Sequence, residues 1–179
     1  MKPEHELKFK EIFEEVNCDD KLEPMRAFIQ HGTVTTYDHV IRVAHTSLAM
    51  AKKLRLRVHE RELVRGALLH DYFLYDWHHW DGPLHGPYHP KHALMNALRD
   101  FDLSKIECNI IRSHMWPLTP FHFPRSREAL ITCIADKVVS TKETFRGFKE
   151  KAELRKRRKR AATQATMRGY IEVHTAENR

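Results

Sequence analysis

Apolar residues recur at helical spacing through most of the chain. The first such pattern, over about 3–16, places Phe9, Ile12, Phe13 and Val16 on one helix face. We predict further helices over about 22–31, 36–54, 60–71, 91–101, 104–114 and from 126 onward. The strict alternation that is typical of half-buried strands is nearly absent. The pattern therefore predicts an all-α fold, a bundle of about six to eight helices.

Local signals predict where several of these helices begin and end. Thr35 or Thr36 suits the N-cap of the third helix, and Ser104 and Ser126 suit those of the last two helices. Gly32 is placed to end the second helix. The stretch 76–90 contains three prolines and two glycines, so we predict one long irregular segment there that forms a wall of a cleft. Pro90 would open the next helix, with His89 held at its entrance.

Composition limits the class of protein. The 179 residues, of which 41% are hydrophobic, are enough for one domain with a good core. No run of about 18 apolar residues predicts a membrane span, and the acidic N-terminal segment does not resemble a signal peptide. Three cysteines without a paired spacing predict reduced thiols in a cytoplasmic protein. No feature indicates an oligomeric state.

The net charge of +7 belongs entirely to the C-terminal part of the chain. Residues 141–179 hold twelve Lys and Arg against five Asp and Glu, whereas residues 1–140 hold nineteen of each. We therefore predict a helical domain over 1–140, followed by a basic helical extension or tail over 141–179. The six basic residues from Arg155 to Arg160 are interpreted first as a solvated helix face. A contact with nucleic acid is the alternative, without base stacking because no aromatic residue interrupts the run.

Candidate metal ligands lie beside apolar positions on separate helices. His70 and Asp71 follow an apolar run, where an ionised carboxylate is costly unless it is paired. A divalent cation would pair with both side chains. A single histidine at a helix edge is more often a hydrogen-bonded structural residue, and Asp136 alone would be explained by an ion pair with Lys137. Six such residues on five elements favour a shared metal site: His39, His70, Asp71, His89, His114 and Asp136.

The order of these residues resembles the signature of the HD-domain phosphohydrolases. The matching contexts are YDHVIRVAHTSLAMAKKL, LVRGALLHDYF and ALITCIADKVVS, and the resemblance covers about 32–140. It implies a helical bundle around a metal centre that hydrolyses phosphate esters or anhydrides. The segments YHPKHALMNAL and IIRSHMWPL are similar to those that carry two extra histidines in dinuclear members. Met115 stands where the cyclic-dinucleotide phosphodiesterases have another histidine, which argues against that substrate.

The resemblance implies two divalent ions and a hydrolytic mechanism with metal-activated water. His39, His70, Asp71 and Asp136 would hold the first ion, and His89 and His114 would share Asp71 in holding the second. Iron or manganese is favoured for this nitrogen-rich set, with zinc or magnesium as alternatives. His70, Asp71 and Lys137 are the candidate catalytic residues, although Lys137 is equally explained by pairing with Asp136. The expected substrate is a nucleotide or another small phosphate, and the alternative is a nucleic-acid or nucleotide binding protein, or a nuclease.

Overall fold

A computed structural model describes residues 3–79 and 84–176, which form six α-helices and one short hairpin. The α-helices are α1 (Pro3–Val16), α2 (Thr36–Lys53), α3 (Glu60–Leu69), α4 (His85–Asp100), α5 (Lys105–Ser113) and α6 (Arg127–Ala176). The strands are β1 (Ile29–His31) and β2 (Val34–Thr35), and short 3₁₀ helices cover Cys18–Asp20, Glu23–Ala27 and Trp77–His79. The all-α prediction is confirmed. No described helix combines the length and apolar character needed to cross a bilayer.

Several helix ends agree with their predicted capping signals. The Thr35 hydroxyl accepts a hydrogen bond from the Asp38 amide at the start of α2. Ser104 and Glu107 form a complete capping box at the start of α5. The last helix crosses residue 141 without a break and carries the basic run on its outer part. The domain boundary at residue 140 stays a prediction and marks no interruption of α6.

The predicted second helix, over 22–31, is wrong. Only a 3₁₀ turn forms there, and the chain then enters β1, which pairs antiparallel with β2. Gly32 adopts a left-handed conformation, with φ at 63°, in the turn between the two strands and does not end a helix. The β-branched residues on both sides of the turn suit strands better than helix. As a result, Gln30 lies close to the bundle interior and is only 6% exposed.

The irregular segment predicted over 76–90 is shorter than expected, and residues 80–83 lie outside the described part of the chain. Helix α4 already begins at His85, so Pro90 lies inside it and does not open it. Pro87 falls in the first turn, where its missing N–H removes no helical hydrogen bond. His89 therefore lies in the second turn of α4, and the prediction that it stands at the helix entrance is wrong.

The core forms where α1, α2, α3 and α6 pack together, with α5 against α3 and α6. Its fully buried side chains include Val40 and Leu48 of α2 and Leu68 of α3. These contacts hold the C-terminal ends of α3 and α5 beside the first turn of α2 and the third turn of α6. The side chains that follow α3 and α5 are consequently directed to one interior point.

Close packing between α3 and α5 generates a stability prediction at Gly66. A Cβ atom there would lie 2.5 Å from Ile110 Cδ1, which is far too close. Alanine would stabilise a helix by about 1 kcal/mol over glycine elsewhere, but at this position we expect Gly66→Ala to lower the free energy of unfolding by about 1–3 kcal/mol. Denaturant unfolding measures this free energy for Gly66→Ala, both in the wild-type protein and in an Ile110→Val variant that lacks the nearest methyl group. An equal loss in both backgrounds would contradict this packing explanation.

Candidate metal centre

All six predicted ligands converge on one buried point of the bundle. None of them is more than 6% exposed, although they come from three helices and the turns that follow α3 and α5. The four imidazoles present their Nε2 atoms to the carboxylates of Asp71 and Asp136. The structure thus brings the whole candidate set together: His39, His70, Asp71, His89, His114 and Asp136.

Asp71 lies at the centre of the cluster, and its two oxygens face different pairs of histidines. Oδ2 lies 3.6 Å from His39 Nε2 and 3.3 Å from His70 Nε2. Oδ1 lies 3.1 Å from His89 Nε2 and 3.4 Å from His114 Nε2. One carboxylate therefore separates the imidazoles into two groups, each gathered around its own oxygen.

Asp136 completes only one of these two groups. Its Oδ1 lies 3.3 Å from His39 Nε2 and 3.8 Å from His70 Nε2. The same oxygen of Asp136 also accepts a hydrogen bond from the hydroxyl of Ser140, one turn further along α6, at 3.0 Å. The first group accordingly contains two imidazoles and two carboxylates, whereas the second contains two imidazoles and shares Asp71.

Each imidazole is oriented by a hydrogen bond from its Nδ1 atom. His70 Nδ1 donates to the Ala67 carbonyl and His114 Nδ1 to the Ile111 carbonyl, both at 2.8 Å. His89 Nδ1 donates to the carbonyl of His85 at 3.0 Å. A neutral imidazole that donates from Nδ1 has a lone pair on Nε2. These bonds therefore direct lone pairs into the centre.

The inward-facing atoms lack the partners that buried polar atoms normally have. His39 Nε2, His70 Nε2 and Asp71 Oδ1 are buried and have no hydrogen-bond partner within the described part of the chain. The Nε2 atoms of His89 and His114 lie only 2.7 Å apart, which is unfavourable for two lone pairs without a proton or cation between them. A set of imidazole nitrogens and carboxylate oxygens with unsatisfied lone pairs fits a divalent transition metal.

The family comparison agrees with this geometry. The family model described as HD domain matches residues 36–140, which is more than half of the chain. The chain belongs to the HD-domain family. Proteins of this family are generally metal-dependent hydrolases that bind divalent metals. Comparisons with curated proteins and with solved structures found no match.

The HD-domain cluster has the electrostatic character expected of a cation site. Burial lowers the pKa of His39, but the neighbouring carboxylates of Asp136 and Glu143 outweigh this and raise it to about 9. Burial raises the pKa of Asp71, but His70 and His89 hold that pKa well below its usual range. Asp136 is likewise kept ionised, with its pKa lowered by His39 and His70 despite burial. Ionised carboxylates thus remain in the interior, and protons compete with metal for the imidazoles.

Two contacts of the ligands were not predicted from the sequence. Gln30 Nε2 donates to Asp71 Oδ2 at 2.6 Å, and Glu143 Oε2 accepts a hydrogen bond from His39 Nδ1 at 2.8 Å. Glu143 follows Asp136 by seven residues on α6, so helical periodicity could have placed it on the same face. Gln30 had no such signal, because its position depends on a hairpin that was predicted as helix.

A cleft of about 960 Å³ opens beside the cluster and reaches Asp71, His89 and His114. Its outer wall is largely apolar and includes Trp77. Lys137 also lines the cleft, and its Nζ donates to the His114 carbonyl at 2.9 Å. Lys137 is therefore held beside a predicted ligand, and its described contacts include no ion pair with Asp136. Its catalytic role stays a prediction. The six ligand assignments also stay predictions.

We expect divalent metal to stabilise the folded HD domain. A hundredfold excess of Mn²⁺ over its dissociation constant would add about 2.7 kcal/mol, or about 5–10 °C in Tm for a chain of this size. Asp71→Asn should abolish most of that shift, because it removes the carboxylate that both groups share. Differential scanning calorimetry with and without Mn²⁺ measures the effect. His122→Ala, outside the cluster, is the control, and an identical shift in Asp71→Asn would disprove the assignment.

Proposed function

We propose that this HD-domain protein hydrolyses a phosphate ester or anhydride of a small molecule, a nucleotide or a related phosphate, at a centre of two divalent ions. The division of the histidines between the two oxygens of Asp71 is the observation that carries the proposal. A carboxylate with one nitrogen-rich group on each oxygen is suited to bridge two cations. His39, His70 and Asp136 would complete one side of the bridge, and His89 and His114 the other.

The two ions, when bound, would lower the pKa of a water molecule and neutralise charge on the phosphate. The protein's own residues would fix the reaction geometry. The hydrogen bonds from Nδ1 hold each imidazole in one tautomer and orientation, which keeps the ligand atoms aimed at the centre. Asp71 is the shared anion at the base of the cleft. Lys137 lines the same cleft, where its positive charge would favour a bound phosphate.

The shape of the cleft supports a small substrate. Its volume of about 960 Å³ is at the upper end of the range for small-molecule sites. The phosphate would occupy the end near Asp71, and the rest of the substrate would contact the apolar wall. Trp77 stacks on His78 and His85, with ring centroids 3.9 and 4.9 Å apart. It makes this wall partly aromatic, which would suit a nucleobase. Iron or manganese remains the favoured metal, and the cytoplasm the favoured location.

Substitution of the ligands tests both the chemistry and the number of ions. We expect His70→Ala to lose bound metal and hydrolysis together, since His70 and Asp71 serve the same ion. His89→Ala and His114→Ala should each retain one ion of two. Elemental analysis of purified protein counts the ions, and a screen of nucleotides and phosphate esters with iron, manganese, zinc and magnesium measures hydrolysis. Two ions retained in both His89→Ala and His114→Ala would rule out the dinuclear assignment.

Nucleic-acid binding by the basic run is the second candidate function. Residues 151–161 of α6 are all exposed, so the side chains from Arg155 to Arg160 are accessible to a polyanion. Such binding would be dominated by phosphate contacts and would weaken steeply as salt concentration rises. It is compatible with the hydrolase proposal, because this run lies on the outer part of α6, well beyond the ligand Asp136.

Truncation separates the two functions if the cut spares Glu143. We expect a chain of residues 1–151 to hydrolyse small phosphates at an unchanged rate and to lose salt-dependent binding of RNA and DNA. Fluorescence anisotropy at several salt concentrations measures the binding. Nucleic-acid binding that survives the truncation would place it elsewhere on the protein, whereas full-length protein that binds neither RNA nor DNA would remove the second function.

A further inference from the structure

We infer that Glu143 and Gln30 position the metal ligands His39 and Asp71, and that contact between the two segments that carry them locks the metal centre in place. Both residues lie outside the family match over 36–140, one on each side of it. The inference rests on the metal centre of the proposed function. The segments on either side of the matched region would thus orient two of the ligands that lie within it.

His39 differs from the other three histidines in the partner of its Nδ1 atom. The others donate to backbone carbonyls, whereas His39 donates to the Glu143 carboxylate. Glu143 is 5% exposed, and its second oxygen accepts a hydrogen bond from Arg42 Nη1 at 2.9 Å. A carboxylate partner makes an imidazole a stronger donor to a cation and fixes its ring plane. Glu143 is therefore a positioning residue for His39.

Gln30 performs the corresponding task for Asp71. Its Nε2 donates to Asp71 Oδ2, and its Oε1 accepts a hydrogen bond from the Thr36 hydroxyl at 3.2 Å. The amide orientation is fixed because an ionised carboxylate can only accept. Gln30 therefore holds the central carboxylate from the side of the hairpin, and Oδ1 has no hydrogen-bond donor among residues 3–79 and 84–176.

The segments that carry these residues meet at two glycines. A Cβ atom on Gly147 of α6 would lie 3.2 Å from the Cα of Gly32 in the hairpin turn, so the two backbones are nearly in contact. Thr33 Oγ1 also donates to Glu150 Oε2 at 3.2 Å. Asp136, Glu143 and Gly147 follow one another at intervals of seven and four residues, so one face of α6 carries a ligand, its neighbour and the hairpin contact.

The close contact provides a probe that alters no ligand and no hydrogen-bonding group. Alanine at Gly32 would add backbone strain, because its φ is 63°. Gly147 lies inside a regular helix, so Gly147→Ala adds only a methyl group against the hairpin backbone. The hairpin and α6 would then have to separate by a few tenths of an ångström, which shifts Gln30 and Glu143 relative to each other.

The experiment measures Mn²⁺ binding to the metal-free, full-length protein by titration calorimetry and chelator competition. We expect Glu143→Ala to weaken one of two sites by about 10–100-fold and to leave the other unchanged. Glu143→Gln, which keeps an acceptor but loses the charge, should give an intermediate loss. Gly147→Ala should weaken binding in the same direction, and Glu153→Gln, on the exposed part of α6, should bind as the wild type does.

The possible outcomes distinguish this inference from the proposed function. Wild-type protein that binds no Mn²⁺ or Fe²⁺ would overturn the metal centre itself. Two wild-type sites with unchanged affinities in Glu143→Ala would overturn the positioning role alone. Equal weakening of both sites, accompanied by a lower Tm, would show a general folding effect and would also overturn it. If Glu143→Ala does not fold, unchanged affinities in Glu143→Gln together with Gly147→Ala decide against the inference.

Discussion

The structure is organised around a carboxylate that the fold keeps ionised in its interior. Asp71 is 2% exposed, and an isolated charge at such a position would cost several kcal/mol. Four imidazoles surround it, and the Gln30 amide donates a hydrogen bond to it at 2.6 Å. Each of these partners comes from a different part of the chain. The requirement to compensate one buried charge therefore constrains how the helices and the hairpin pack.

The C-terminal ends of two helices supply two of the imidazoles that surround Asp71. His70 and His114 follow the C-termini of α3 and α5, and each donates from Nδ1 to a carbonyl three residues earlier. Carbonyls in the last turn of a helix lack backbone partners, so the imidazole satisfies one and is oriented by it. The C-terminal ends of both helices also carry partial negative charge, which favours a cation at the point where they converge. One arrangement thus orients the ligands and contributes to their electrostatic environment.

The sequence predicted those parts of the site that depend on local periodicity and not those that depend on tertiary contacts. His39, His114 and Asp136 each lie in step with apolar positions of their own helix, so their inward orientation could be read from spacing. The second helix was predicted wrongly because Gly32 suits both a helix end and a tight turn. Because this segment was predicted as helix, the inward orientation of Gln30 in the hairpin was not predicted. Glu143 was missed because it follows the segment that resembles the family, although it repeats the helical spacing of Asp136.

Helix α6 links the metal centre to the basic run through continuous backbone. Its inner part carries Asp136 and Glu143 within the core, and its side chains beyond Glu150 are exposed wherever they are described, up to residue 164. If the outer part of α6 bent relative to the bundle, the backbone contact between Gly147 and the hairpin would be the first to change. Glu143 and Gln30 lie next to that contact along their own segments, so their positions would change with it. An anion that bound from Arg155 to Arg160 would act on the same helix that carries Asp136, one predicted metal ligand, and Glu143, the neighbour of another. The candidate metal centre and the basic run are therefore connected by one continuous helix, and no described side chain bridges them.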